Sequence, residues 1–266
     1  MQLRSIFLAL PLICSLPACA QEAAPKATAS PAAAAQPTLA PQATPDRPPD
    51  VITYQFGLIR KGPKWTPERT PETQKIQEGH MANISRLAEA GSLVAAGPVE
   101  AAEASDLRGI FVFKGVSRDE ARKLADSDPA VQAGRLRLEF LDFVGTAGIG
   151  RRYREERAKA GAAFKDEMVQ YQLVLFKPGR HLQAGEVSEN ATLGQLRRSW
   201  MESLLKQGQV LLAGPFTGGG AYTGLFVMNA GSREAAEALI KEDPTVKTNR
   251  AAYEVHGWWV ARGVVD

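Results

Sequence analysis

The sequence contains only two cysteines, Cys14 and Cys19, and both lie near its N-terminus. Any folded part that follows them has no thiol, which excludes disulfides, thiolate nucleophiles and cysteine-based metal sites. The formal net charge is only +3, which gives no electrostatic case for nucleic-acid binding. Three widely scattered histidines without a matching carboxylate spacing give no metal signature. No cofactor is predicted.

The N-terminal apolar run, from Ile6 to Leu16, is too short to span a bilayer, which takes about 20 apolar residues. Its flanking Arg and small residues are typical of an export signal over residues 1–20. Ala18-Cys19-Ala20 would release a soluble protein that starts at Gln21. Leu16-Pro17-Ala18-Cys19 instead resembles a lipobox, which would leave Cys19 lipidated as the only membrane contact. Both alternatives predict an exported, periplasmic protein.

Residues 21–50 consist almost entirely of Ala, Pro, Thr, Gln and Ser. Such a segment has too few large apolar side chains to offset the entropy lost on ordering. We therefore predict a disordered, extended tether.

The remaining sequence is an internal repeat. Tyr54-Gln55-Phe56-Gly57-Leu58-Ile59 corresponds to Tyr171-Gln172-Leu173-Val174-Leu175-Phe176, 117 positions later. After a loop that is two residues shorter in the second copy, the offset becomes 115. Ala96-Gly97-Pro98 matches Ala213-Gly214-Pro215 before that loop, still 117 positions apart. The matches after it, at 115, are Gly109 with Gly224, Asp128-Pro129 with Asp243-Pro244, and Glu139 with Glu254. Motifs in one order at a near-constant offset indicate two copies of one unit.

Each copy predicts the element order β-α-β-β-α-β, which is that of a ferredoxin-like unit with both helices on one face of an antiparallel sheet. The bare faces of two such sheets could cover each other. The predicted fold is therefore α+β, with two repeats packed as a single-chain pseudo-dimer, the dimeric α+β barrel arrangement. We assign repeat 1 to residues 51–146, a charged connector to 147–167 and repeat 2 to 168–266. The chain would be a monomeric pseudo-dimer or a homo-oligomer.

The ordered set Gly79-His80, Gly91, Ala96-Gly97-Pro98 and Asp128-Pro129 resembles the YCII-related (YciI-like) family. The resemblance covers nearly all of 54–144 and again 170–260, so the chain looks like a tandem member. It implies the dimeric α+β barrel fold and a His–carboxylate pair as a proposed acid/base. A few similar proteins process lactones or remove chloride in aromatic degradation, whereas most have no settled activity.

His80 is the first candidate site residue. It lies four residues from both Ile76 and Ile84, on the helix stripe expected to face the sheet. There it could move a proton at neutral pH or could be a hydrogen-bonded structural histidine. As its partner we prefer Asp128, because Glu89 is half a turn out of phase on the same helix. Asp128 before a proline could also simply form a turn.

Repeat 2 departs from this pattern. Arg197 occupies the His80 position and Lys206 the Glu89 position, while Asp243 is kept. An arginine cannot lose its proton, so repeat 2 cannot perform the same acid/base chemistry. Arg197 could hold an anionic ligand or pair with a carboxylate. Gly109 and Gly224 stand where the family resemblance implies a hydroxyl-bearing residue.

Two functions follow from these observations. The favoured one is a non-catalytic envelope module, either structural or binding a small molecule, and the alternative is a small isomerase or lyase-like enzyme that uses His80 on a lactone or related acid. An accessible cavity lined by His80, with a carboxylate within hydrogen-bond reach of about 2.6–3.2 Å, would distinguish them. The most useful single observation would be the pocket expected between the two sheets and its lining. His256 alternates within the last strand and is interpreted as an ordinary strand residue, and His181 as an exposed loop residue.

Overall fold

The computed structural model describes residues 51–100, 102, 105–180 and 187–265, with the side chains of 187–189 left out. The predicted signal segment, the tether, Cys19 and His181 lie outside the described residues. In the described ranges, no helix is long and apolar enough to cross a membrane.

Repeat 1 has the predicted order of elements, with one short helix added. The elements are β1 (Val51–Lys61), α1 (Pro71–Glu89), β2 (Leu93–Glu100), β3 (Leu107–Lys114), α2 (Arg118–Asp126), α3 (Pro129–Gln132) and β4 (Leu136–Thr146). A connector helix, α4 (Arg151–Ala160), and a 3₁₀ turn (Gly161–Ala163) follow.

Repeat 2 has the same order. Its elements are β5 (Met168–Pro178), α5 (Val187–Lys206), β6 (Val210–Thr217), β7 (Gly224–Met228), α6 (Arg233–Ile240), α7 (Pro244–Lys247) and β8 (Ala251–Ala261).

The short helices α3 and α7 were not predicted as helices. In both, the aspartate of the Asp-Pro pair is the N-cap and proline takes the first helical position. Proline is favoured there because its fixed φ suits a helix and its missing N–H would be unpaired anyway. The turn predicted for Asp-Pro is therefore the start of a helical turn.

The eight strands close into one antiparallel barrel in the order β1-β3-β2-β8-β5-β7-β6-β4. Within each repeat the strands have the ferredoxin-like arrangement. The repeats join at two seams of only two residue pairs each. Val99 and Glu100 pair with Trp258 and Gly257 at the β2–β8 seam, and Asp142 and Phe143 pair with Thr217 and Phe216 at the β4–β6 seam. The sheets thus share edges as well as covering each other's faces.

Three hydrophobic clusters hold this arrangement together. The largest fills the barrel interior and includes Tyr54, Phe56, Phe143 and Trp258. A second cluster lies between the repeat 1 sheet and its helices, and a third lies in the same place in repeat 2. Ile149 and Val264 belong to the interior cluster, so the connector and the C-terminal residues close one end of the barrel. The predicted cavity between the sheets is therefore replaced by a packed interior.

Glycines allow the strands to approach each other at both seams. A Cβ on Gly97 would overlap the carbonyl oxygen of Trp259, and one on Gly214 would overlap that of Val144. A Cβ on Gly109 or Gly224 would come within 2.9 or 2.8 Å of a glycine carbonyl on the neighbouring strand. Any side chain at these positions, including a hydroxyl-bearing one, would push the strands apart.

Candidate functional site

The structure places His80 against Asp128. His80 Nδ1 lies 2.8 Å from Asp128 Oδ2, and the imidazole stacks on the ring of Phe111 at a centroid distance of 5.9 Å. The imidazole is 12% exposed and the carboxylate is fully buried. Helix α1 supplies the histidine, and the N-cap of α3 supplies the aspartate. The pairing is thus observed, whereas its catalytic role stays a prediction.

Asp128 also accepts hydrogen bonds from the backbone N–H of Ala130, at 2.8 Å, and from Asn83 Nδ2, at 3.2 Å. Burial alone would raise the pKa of Asp128, but the hydrogen bonds from His80, Ala130 and Asn83 outweigh burial and lower that pKa below its usual value. The ionised carboxylate therefore receives the Nδ1–H of His80. With Nδ1 donating to Asp128, Nε2 is the ring nitrogen left for another partner.

Repeat 2 builds the same contact with different chemistry. Arg197 Nε donates to Asp243 Oδ2 at 2.9 Å, and Asp243 is fully buried. The guanidinium carbon of Arg197 lies 5.7 Å from the ring centre of Phe226, which corresponds to Phe111. The backbone N–H and the hydroxyl of Thr245 complete the shell of Asp243, at 2.7 and 2.6 Å. Of the two roles open to Arg197, pairing with a carboxylate is the one observed.

Glu89 is exposed on α1, as its phase on the helix predicted. The glycines 218–220 all have positive φ and lie between β6 and β7, where they form a turn. Among the described residues no group of three or more His, Cys, Asp or Glu side chains could hold a metal ion.

His80 does not line a space between the sheets. Its neighbour Phe111 belongs to the cluster between the repeat 1 sheet and its helices, on the outer face of the barrel. The expectation of a ligand pocket between the two sheets is therefore wrong in its location. Successive residues of a strand face opposite sides of a sheet. Phe111 and Phe113 of β3 belong to the outer cluster, whereas Leu107, Ile110 and Val112 belong to the barrel interior.

An open pocket of ≈ 720 Å³ instead lies beside the β2–β8 seam. It is bounded by the chain just before β3, the ends of β1 and β5, the first half of β8 and helix α6. We call it the seam pocket, and its functional groups include those of Arg60, Lys177, Tyr222, Arg233, Glu237, Glu254 and His256.

The floor of the seam pocket is a network that joins the two repeats. It balances three carboxylates, Asp106, Glu139 and Glu254, with three cations, Arg60, Lys177 and Arg137, the last of which pairs with Asp106 at 2.5 Å. Arg60 donates to Glu139 at 2.8 Å, to Asp106 at 2.6 Å and to Tyr222 at 3.3 Å. The Tyr222 hydroxyl donates to Glu254 at 3.1 Å, and Glu254 also pairs with Lys177. Charges that are paired in this way neutralise each other and leave the floor without a strong net field.

His256 is buried at the inner wall of the seam pocket. Its Nε2 lies 3.4 Å from Glu254 Oε2, and its Nδ1 is buried without a hydrogen-bond partner among the described residues. Burial lowers the pKa of His256, and this effect outweighs the opposing influence of Glu254. The imidazole is therefore neutral at pH 7. Interpreting His256 as an ordinary strand residue missed this environment.

Sequence reasoning missed the whole seam pocket, although a signal for it was present. At the repeat offset of 115, Leu107 corresponds to Tyr222, Leu138 to Tyr253 and Leu141 to His256. Apolar positions of repeat 1 that become polar or aromatic in repeat 2 mark a place where the two copies differ in environment. That comparison needed only the alignment that revealed the repeat.

Comparison with known proteins agrees with this fold. Residues 59–142 and 175–259 each match the YCII-related domain. No curated protein matches the chain. A solved mutant of chlorite dismutase from Candidatus Nitrospira defluvii is similar, with a TM-score of 0.50 and 12% identity, over 81% of this chain and 92% of that one. A structure described as a novel heme-binding protein from Thermus thermophilus is also similar, with a TM-score of 0.47 and 11% identity, over 80% of this chain and 93% of that one.

Proposed function

This chain belongs to the YCII-related domain family, and on that premise we propose that it is a non-catalytic module that binds a small molecule in the seam pocket. The two matched domains lie in one chain. They would form a single-chain counterpart of a barrel that is otherwise built from two subunits, with each repeat in the place of one subunit. The chain would then work as a monomeric pseudo-dimer or as a homo-oligomer of such units.

The observation that carries the non-catalytic assignment is the equivalence of His80 and Arg197. Both pair with the buried N-cap aspartate of the following short helix, at 2.8 and 2.9 Å, and both lie over the same phenylalanine position of the sheet. An arginine that cannot exchange its proton makes the same link as the histidine. The two repeats therefore share a side-chain link from the long helix to the short helix, α1 to α3 and α5 to α7, which we call the clamp between helices. They do not share a group that can transfer a proton.

The seam pocket supports the binding assignment. Its volume of ≈ 720 Å³ lies in the range usual for small-molecule sites. Its inner wall holds the buried imidazole of His256 and the buried Tyr222. Burying polar groups costs free energy unless they find partners. Placing such groups where the other repeat has leucines favours a binding role over simple packing.

A heme does not fit the described residues. The Thermus protein is described as heme-binding, but its similarity to this chain concerns the fold alone. His80 gives Nδ1 to Asp128 and its ring lies flat on Phe111. His256 has a buried Nδ1 and directs Nε2 at Glu254. Asp128 leaves His80 Nε2 free, but the His80 ring is largely buried against Phe111, and His256 Nε2 is directed at Glu254, so neither imidazole faces an apolar slot for a porphyrin.

The test uses two variants and a library of small metabolites, with thermal unfolding as the readout. Ala221 is exposed and lines the seam pocket, so Ala221→Trp should fill it and remove the stabilisation given by bound compounds. His80→Arg, which copies repeat 2, should leave that stabilisation unchanged. Loss of binding in His80→Arg with full binding in Ala221→Trp would overturn the proposal and move the site to His80.

A second candidate is an acid/base enzyme of the isomerase or lyase class, acting on a lactone or related small acid. The observation that favours it is the bond from Nδ1 of His80 to the ionised Asp128. Such a bond fixes the tautomer and orients Nε2 as a base, and a general base needs this geometry. Turnover of any lactone that is abolished in both His80→Arg and Asp128→Asn would establish the enzyme and refute the non-catalytic module.

We propose further that the module works in the periplasm, with residues 1–20 removed on export and 21–50 acting as a tether. The charged start, the short apolar run and the small residues around Cys19 support export. Mass spectrometry of the mature N-terminus should find lipidated Cys19 or a free Gln21. An intact Met1 in the mature protein would refute export by either route.

A further inference from the structure

The two seams of the barrel provide an internal comparison, since repeat symmetry places them in equivalent positions. Each is formed by two residue pairs, between β4 and β6 or between β2 and β8. Each lies beside the helix that follows the third strand of one repeat, α2 or α6. Because the strand pairings are equivalent at the two seams, side chains at matching positions can be compared directly.

At the β4–β6 seam, the first residue of α2 is satisfied by a carboxylate. Arg118 donates to Asp142 through two bonds, Nη2–Oδ2 at 2.7 Å and Nε–Oδ1 at 3.2 Å. This two-pronged contact is the geometry in which arginine recognises carboxylates best. The partners come from the helix and the fourth strand of the same repeat.

At the β2–β8 seam the arginine is kept and the carboxylate is lost. Arg233, at the first position of α6, corresponds to Arg118, and Gly257 corresponds to Asp142. Glu100, opposite Gly257, is held by Gln170 at 2.6 Å. Within the part of the chain that the structure describes, no hydrogen bond or ion pair to Arg233 is found. Arg233 lines the seam pocket.

The seam pocket also holds an unpaired acceptor. Glu237 lies one turn after Arg233 on α6, lines the same pocket and makes no ion pair with a described residue. Its counterpart in repeat 1 is Arg122, which lies over the ring of Phe140 at 5.6 Å. The floor cations Arg60 and Lys177, in contrast, are neutralised by Asp106, Glu139 and Glu254.

From these observations we propose that the seam pocket binds a small organic acid that carries a hydroxyl or amino group, with Arg233 as the anchor of its carboxylate. This inference rests on the proposed function. The ligand carboxylate takes the place that Asp142 has beside Arg118, and the ligand's donor group lies toward Glu237. An anion without a donor would meet the Glu237 carboxylate with no compensating hydrogen bond, so Glu237 selects acids that carry a donor.

Four probes separate these requirements. Leu107, Tyr253 and Val255 also line the pocket, so each probe carries a phenyl ring. 3-Phenyllactate and phenylalanine have both carboxylate and donor, 3-phenylpropionate lacks the donor, and phenylalaninamide lacks the carboxylate. In titration calorimetry with the full chain, the first two should bind. 3-Phenylpropionate should bind at least about threefold more weakly and phenylalaninamide at least about tenfold more weakly.

Variants at matched positions identify the anchor. Arg233→Gln should weaken the binding of both acids at least about tenfold, because it removes the positive charge that pairs with their carboxylate. The fold should be kept, because Arg233 makes no hydrogen bond or ion pair with a described residue. Arg118→Gln is the matched control and should leave binding by the folded protein unchanged. Glu237→Gln should reduce the advantage of 3-phenyllactate over 3-phenylpropionate.

Three outcomes would overturn the inference: equal binding of the acids by Arg233→Gln and the unaltered protein, equal binding of amide and acids, or no measurable binding of either acid. The proposed function is judged separately. If Ala221→Trp still abolishes binding of other small molecules, the seam pocket remains a binding site and only the ligand class is wrong.

Discussion

At the β4–β6 seam, Arg118 has a carboxylate partner, Asp142, whereas at the β2–β8 seam Arg233 has no hydrogen-bond or ion-pair partner among the described residues. Arg233 lines the seam pocket with Tyr222, Tyr253 and His256, and the residues at these three positions in repeat 1 are leucines. The backbone is the same at both places. The difference teaches that in a repeated fold one copy shows what packing alone requires, and the other copy shows where the chain departs from it. Such departures are expected at functional sites.

The clamp between helices teaches the reverse lesson. His80 and Arg197 differ in chemistry but make one contact, each with a fully buried aspartate. A difference in residue type at equivalent positions can therefore preserve a structural role. Only contacts, and not residue identity, separate the two cases.

The largest effect is expected where the two seams are alike. Gly97→Ala would place a Cβ against the carbonyl oxygen of Trp259, and Gly214→Ala would do so against Val144. Because backbone cannot move aside cheaply, each substitution should lower the free energy of unfolding by about 3 kcal/mol. Denaturant unfolding measures it, with the open position Gly194→Ala as control. A much smaller loss at either seam would mean that the barrel does not close there.

The next largest effect concerns the shared clamp. Asp128→Ala removes the N-cap of α3 and leaves His80 and Asn83 without their acceptor, so it should cost about 2–3 kcal/mol. Asp243→Ala should cost a similar amount. Chemical denaturation of both variants checks the equivalence, and a loss confined to one repeat would contradict it.

Exchanging the residues of the clamp should have a smaller effect. His80→Arg keeps a donor for Asp128 and should change the unfolding free energy by less than about 0.5 kcal/mol, whereas His80→Ala removes the donor and should cost about 1–2 kcal/mol. Denaturant unfolding of both variants under the same conditions measures the two changes in unfolding free energy, and their ratio is compared. Equal losses would show that the imidazole, and not the link, matters for stability.

The smallest effect is a pH dependence confined to the β2–β8 seam. The pKa of His256 is lowered in the folded state by burial, so the unfolded chain binds a proton at a higher pH than the folded one. Stability from His256 is therefore full above about pH 6.5 and falls as pH drops toward the folded pKa. His256→Leu, which copies Leu141, should flatten the stability profile between about pH 7 and about pH 5. An unchanged slope in that variant would assign the dependence to other groups.

Much of the fold was predictable because its signals are local. The repeat offset and the periodicity of α1 predicted elements that the structure confirms. The phase of α1 also predicted correctly that His80 faces inward and Glu89 outward. The short helices α3 and α7 were missed because four residues are too few to show a periodicity.

For the candidate site, too, some features were predictable from the sequence and others were not. The sequence by itself determined that the chain holds two copies of one unit, that only the first copy has a titratable residue at the His80 position, and that aspartates follow the second helix in both. These are properties of order and spacing along the chain. Only the tertiary structure decided that the barrel interior is packed, that His80 lies outside it under α1, and that Arg233 and His256 meet Arg60 and Lys177 in one pocket. The physical reason is that the pocket forms where strands from different repeats meet for two residue pairs, and how far two strands run together is set by packing between distant segments.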